Sequence, residues 1–148
     1  MTQTADIRSG QCLCGAVRLS AKVSGSGIQA CHCKQCQRWT GGGPLLVTRV
    51  KGVEVTGEDA IASYHASDHG ERGFCRICGT TLLWKLQGRG IAFLPVGLLD
   101  DQSGLEISEE IFVDHRPDWL PEWPGTKRHG EAEMQAQLKA FLEGQPNA

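Results

Sequence analysis

The sequence predicts a small, mainly β protein with a helix at its C-terminal end. Three observations predict it. Short runs rich in β-branched residues recur between glycine-bearing turns, a longer stretch at helical spacing occurs near the end, and seven cysteines stand in three groups beside the expected strands. At 148 residues the chain has the size of one domain, 1–148, long enough to bury a core without disulfide staples.

Taken in order, Ala16 to Val23 alternates well enough for a half-buried strand, and Ser24 to Gly27 supplies a turn. Ile28 to Cys31 reads as a second short strand, and Lys34 to Thr40 as one or two helical turns ended by Gly41, Gly42, Gly43 and Pro44. Leu45 to Val50 and Val53 to Val55 read as two strands of a hairpin turning at Lys51 and Gly52. Further strands are expected at Ile61 to Ala66, Thr80 to Lys85 and Ile91 to Leu99, which makes the middle of the chain a β meander. A last strand is expected from Glu109 to Asp114. The segment Arg116 to Gly125 is irregular, with Trp119 and Trp123 set among prolines and expected to seal a sheet edge. Met134, Leu138, Phe141 and Leu142 lie at helical spacing, so Glu131 to Glu143 is expected to dock an amphipathic helix on the sheet, with Gly144 as its stop.

Lys plus Arg total 15 against 17 Asp plus Glu, and the net charge of -2 gives no field that would draw the protein to nucleic acid or to a membrane surface. The longest apolar runs, such as Ile91 to Val96, are too short to span a bilayer. Met1 to Gly10 is polar where a secretory leader would be apolar, so a cytoplasmic protein is expected. Seven thiols in a reducing compartment read as metal ligands or reactive groups, and an odd number cannot all pair within one chain.

The most specific signal is Cys75-Arg76-Ile77-Cys78-Gly79, a Cys-x-x-Cys with glycine after it. The spacing turns both sulfurs to one point, and glycine lets the backbone curl beneath a metal. A closed structural zinc site takes four ligands, and the economical second pair is Cys12 and Cys14, since the other three cysteines cluster among themselves. A redox Cys-x-x-Cys would sit at a helix start in a βαβ setting, whereas strands are expected around this one.

Cys31-His32-Cys33-Lys34-Gln35-Cys36 supplies three corners of a tetrahedron, with the fourth left to a histidine, a water or an exogenous ligand. His32 lies between two ligating cysteines, and neighbours on an extended chain point to opposite faces. It therefore reads as a packed or supporting residue rather than the fourth ligand. His65, His69, His115 and His129 lie in no ligand spacing and read as surface or turn residues. Three thiolates leave zinc a net charge of -1, poor for ionising water and better suited to an incoming thiol that stays nucleophilic. Lys34 and Arg38 can offset that charge or meet a substrate carboxylate, the alternative being two solvated side chains.

The order of Cys12-Leu13-Cys14-Gly15-Ala16-Val17, then Cys31 to Cys36, then Arg72 to Thr80 resembles the glutathione-dependent formaldehyde-activating enzyme family, which also includes centromere protein V. The likeness continues through Tyr64 and Ser67 and, more loosely, through Ile111-Phe112-Val113, Arg116-Pro117 and Trp119. It implies a zinc-stapled β-meander or sandwich like that of the Rab-accessory zinc proteins and two zinc ions per chain. Cys12, Cys14, Cys75 and Cys78 would hold the structural ion, and Cys31, Cys33 and Cys36 the catalytic one. It also implies a carbon-sulfur lyase that condenses glutathione, or a related thiol, with formaldehyde or a small aldehyde to S-hydroxymethylglutathione. In that chemistry a proton donor is needed for the developing alkoxide, and His32 is the residue at hand. Two other classes stay open: a glutathione carrier or sensor without turnover, and a zinc-ribbon interaction module.

Overall fold

The computed structural model describes residues 6–144; the first five residues of the polar Met1 to Gly10 stretch lie outside the described residues. The chain is mainly β. It divides into two compact units, one of residues up to Ile28 with Leu46–Glu106, the other of Gln29–Leu45 and residues from Ile107 on.

The first unit begins with β1 (Ile7–Gln11) and β2 (Arg18–Val23), an antiparallel hairpin in which Gly10 faces Leu19. The long strand β4 (Leu45–Thr56) pairs with β2 on one side and with β8 (Ile91–Pro95) on the other. Beyond β8 follow β7 (Thr81–Leu86), β6 (Gly70–Cys75) and β5 (Ile61–Tyr64), each antiparallel to its neighbour. The expected meander is thus present. Corrections go with it, and β6 is a strand that the sequence reading does not expect. β1 comes from a polar segment that carries no strand signal, and Leu45–Thr56 is one strand rather than a hairpin. Gly52, at φ 59, takes a left-handed kink inside β4, and the register against β2 shifts between Ser20 and Lys22, so the glycine is absorbed as an irregularity. β8 stops at Pro95 instead of running to Leu99, because proline cannot donate to a ladder; a 3₁₀ turn, Val96–Leu98, continues the chain.

Period-two alternation places the core. In β2, Leu19, Ala21 and Val23 point inward while Arg18 and Lys22 point to solvent. They pack with Val17, Val50, Leu82, Leu94, Leu98 and Leu99, and with Cys12 and Cys75. Each fully buried leucine or valine contributes about 1.5 to 3 kcal/mol over an exposed one. Two of the seven thiols are therefore anchored in that core.

In the second unit the end of β3 (Gly27–Cys31) lies beside β9 (Glu106–Ile111), which takes the short strand β10 (Lys127–His129) in parallel on its other edge. The helix α1 (Lys34–Thr40) follows β3 and forms where the sequence predicts it. β9 ends earlier than expected because Phe112, at φ 55, turns the backbone left-handed and hands the chain to a 3₁₀ turn at Val113–His115. The helix α2 (Glu131–Leu142) forms where the sequence predicts it but buries no residue: Met134, Leu138 and Phe141 are only half-buried and Leu142 is exposed. Trp119 stands 70% exposed and so does not seal an edge, whereas Trp123 tilts toward His32 with ring centroids 6.3 Å apart. Among the described residues no helix is long and apolar enough to cross a membrane.

Candidate metal centres

Cys12 and Cys14 lie in the turn between β1 and β2, and Cys75 and Cys78 at the end of β6 and in the turn after it. Each turn is shaped by a left-handed glycine: the Gly15 N–H donates to Cys12 O at 3.1 Å, and the Gly79 N–H to Cys75 O at 2.8 Å. The result brings all four sulfurs within 4.8 Å of one another. Cys12 Sγ is 3.6 Å from Cys14 Sγ, and Cys14 Sγ is 3.8 Å from Cys75 Sγ. Sulfurs set about 2.3 Å from zinc at tetrahedral angles stand about 3.8 Å apart, so the set fits that ion.

The electrostatics of the four thiols point the same way. The Thr80 hydroxyl accepts from Leu13 N–H at 3.0 Å and lies 3.1 Å from Cys78 Sγ, so its own proton is free to donate to sulfur. That bond first, then the backbone N–H groups of Thr80 and Cys14, pull Cys78 down to about 5. Burial opposes ionisation of Cys12, but the Val17 N–H, 3.3 Å from its sulfur, and the neighbouring thiols hold it below its ordinary value. Cys14 goes the other way: the Ala16 N–H favours its thiolate, yet burial and the sulfurs of Cys12, Cys78 and Cys75 push it up to about 12. Thiolates crowded this closely repel one another, and a dication between the sulfurs would offset that repulsion.

The second set is local. Cys31 ends β3, Cys33 is the N-cap of α1, and Cys36 is buried in the first turn of that helix. Cys33 Sγ accepts from Cys36 N–H at 3.3 Å, and the three sulfurs lie within 4.8 Å of one another. The thiols of Cys33 and Cys36, then burial, push Cys31 up, the mark of sulfurs crowded without a counter-charge. Among the described residues no fourth donor joins this group. Lys34 and Arg38 stand exposed on α1, four residues apart and so on one side of the helix.

His32 lies elsewhere than at the surface. Its side chain is fully buried, with Nε2 2.9 Å from Glu110 Oε1, and Nδ1 has no hydrogen-bond partner among the described residues. Glu110 is also fully buried; its Oε2 accepts from Thr126 Oγ1 at 2.8 Å and from Arg128 Nε at 3.2 Å. Burial raises its carboxyl, but the bonds from Thr126, His32 and Arg128 more than offset that and hold it below its ordinary value. Sequence reasoning missed Glu110, Thr126 and Arg128. The only local hint is an acidic residue beside Ile111 in a strand, and the partners that give it meaning lie 16, 18 and 78 residues away.

His115, read as an ordinary turn residue, joins Asp114 and Glu131 in a third group of ligand atoms within 4.8 Å. Its bonds account for it: Asp114 Oδ1 accepts from Glu131 N–H at 3.0 Å and starts α2, and His115 Nε2 pairs with Glu131 at 3.3 Å. A groove of about 730 Å³ on the first unit, lined by Val55, Ile61, Leu83 and Lys85 among others, contains none of the cysteines.

Comparison with known proteins places the chain among relatives. A Schizosaccharomyces pombe protein described as an uncharacterized lyase is 27% identical over 110 residues, 74% of this chain and 80% of its own length. The crystal structure of a Rhodobacter sphaeroides protein, a structural-genomics target, superposes with a TM-score of 0.55 at 20% identity, covering 62% of this chain and 87% of that one, and shares its fold. The sequence model of the family described as glutathione-dependent formaldehyde-activating enzyme matches residues 7–115, most of the chain and both cysteine sets. The protein therefore belongs to the glutathione-dependent formaldehyde-activating enzyme family.

Proposed function

We propose that this single-domain chain is a zinc-dependent carbon-sulfur lyase that joins glutathione, or a related thiol, to formaldehyde or another small aldehyde, working in the reducing cytoplasm. Family membership supports a glutathione-related lyase-type activity. The observation that carries the reading is the three-sulfur set of Cys31, Cys33 and Cys36 without a fourth protein donor among the described residues. A zinc ion held there would supply a cationic centre that favours the ionised form of an incoming thiol.

In the forward direction the thiol sulfur bonds to the carbonyl carbon, the carbonyl π pair moves to oxygen, and the proton lost by sulfur ends on that oxygen. The chain's own contribution begins with holding three sulfurs on a rigid loop: His32 N–H donates to Ile111 O at 3.0 Å, and Gln37 Nε2 donates to His32 O at 2.6 Å and to His115 O at 2.9 Å. Lys34 and Arg38 offer two cations to the carboxylates of glutathione. To carry that proton from sulfur to the adduct oxygen, His32 has only Nδ1, which would first accept it, since Nε2 faces the Glu110 carboxylate. The set of Cys12, Cys14, Cys75 and Cys78 would hold a second, structural ion in the first unit.

Exchange NMR with formaldehyde and glutathione tests the reading on protein of known metal content. Interconversion faster than the spontaneous reaction is expected, and lost in Cys36→Ser. Zinc-loaded protein that gives no acceleration defeats the formaldehyde chemistry. Tight thiol binding without turnover would instead mark a carrier or sensor. K34A and R38A are each expected to raise KM for glutathione about threefold with kcat little changed, the scale of an exposed ion pair.

A further inference from the structure

A histidine between two ligating cysteines is a ready fourth ligand, because neutral imidazole suits zinc and three thiolates with one histidine make a common closed site. The loop of Cys31 to Cys36 nevertheless presents three donors, and His32 is not in the group whose ligand atoms lie within 4.8 Å. We propose that Glu110 is the positioning residue that holds the His32 ring away from the metal and so keeps the fourth coordination position open to substrate. The proposal rests on the reading of Cys31, Cys33 and Cys36 as a metal site.

The contacts support it from both sides. The His32 ring is fully buried, with Nε2 2.9 Å from Glu110 Oε1, and its backbone is tied at N–H to Ile111 and at C=O to Gln37. The ring nitrogen that the contact leaves over, Nδ1, is buried and has no hydrogen-bond partner among the described residues, so the Glu110 contact is the one hydrogen bond that orients the ring there. Glu110 cannot follow a moving ring. Its Oε2 is gripped by Thr126 and Arg128, Arg116 Nη1 stands 3.9 Å from its Oε1, and Glu122 in turn fixes both arginines at 2.8 and 3.5 Å. Taking a carboxylate wholly out of water is costly, and here the cost is met by donors from Thr126, Arg128 and His32 around it. The geometry specified here is the direction of one imidazole.

A ligating histidine often donates its second nitrogen to a carboxylate, so the same Glu110 contact would also suit a closed site, and the test must separate the two. The full chain loaded with NMR-active cadmium does so. In the wild-type protein the His32 ring protons should show no coupling to cadmium; coupling there would overturn the proposal, whatever any variant does. In Glu110→Ala the coupling should appear, and the shift that glutathione causes in that cadmium signal should need about tenfold more thiol. Adding His32→Ala to that variant should restore the wild-type response. A Glu110→Ala protein that answers glutathione like the wild type, or a double variant that fails to recover, would overturn the proposal. A wild-type chain that takes up a single cadmium ion, on the four-cysteine set, would instead defeat the underlying reading of the three-cysteine loop.

Discussion

Glu110 and Gly57 show what a single residue can decide in this protein, one through charge and one through space. The carboxyl of Glu110 is held below its ordinary value of 4.5 by its bonds to Thr126, His32 and Arg128, against the pull of burial. A carboxylate depressed in the folded state adds stability that is fully present above its unfolded value and is lost as pH falls through the folded one. Denaturant unfolding between neutral pH and pH below 4.5 should therefore show a steeper acid loss in the wild type than in Glu110→Gln, and equal slopes would count against the assignment. Gly57, at φ 88, packs so close to the Ala16 carbonyl that a Cβ would collide with backbone. Gly57→Ala should lower unfolding stability by about 2 kcal/mol, whereas Gly25→Ala, where nothing stands within 4 Å, should show only the strain of its backbone angle. The cysteines were legible in the sequence because ligand spacing is a local property, four of the seven lying in pairs two or three apart. Glu110 was not legible, since one strand glutamate looks like any other until residues 78 positions away close on it.

At the scale of elements, two turns do the assembling in the first unit. The turn after β1 and the turn after β6 meet through Thr80, whose hydroxyl takes the Leu13 N–H and faces Cys78 sulfur. Thr80→Val removes both bonds at little change of volume, and chelator competition should show the four-cysteine site about tenfold weaker for zinc. Retained affinity would mean that the sulfurs alone fix the turns. The sequence reading found most strands because alternation reports a half-buried face directly. It failed at β1, whose residues Arg8, Ser9 and Gln11 carry no apolar face, and at Gly52, where a turn signal is absorbed inside β4. Both are cases in which pairing to a neighbour overrides what the segment prefers alone. α1 was legible because a polar run is closed by the glycines from Gly41 on, the first of which takes the left-handed C-cap.

For the whole molecule, the two cysteine sets predict two ions with different standing. Cys12 and Cys75 are part of the hydrophobic core of the first unit, so Cys75→Ser should unfold cooperatively at much lower denaturant than the wild type. Cys36→Ser should keep most of the stability and lose one ion, as native mass spectrometry and denaturant melts would show; equal destabilisation by both changes would contradict the division. The sets differ also in when they can exist. The three sulfurs from Cys31 to Cys36 lie within six residues of sequence, whereas Cys14 meets Cys75 across 61 positions. As the chain leaves the ribosome, the short set is complete while the other still has only its first pair, and closing so long a loop must wait for the rest of the first unit. On the proposed reading, the open three-sulfur site would thus be offered to metal before the closed four-sulfur one.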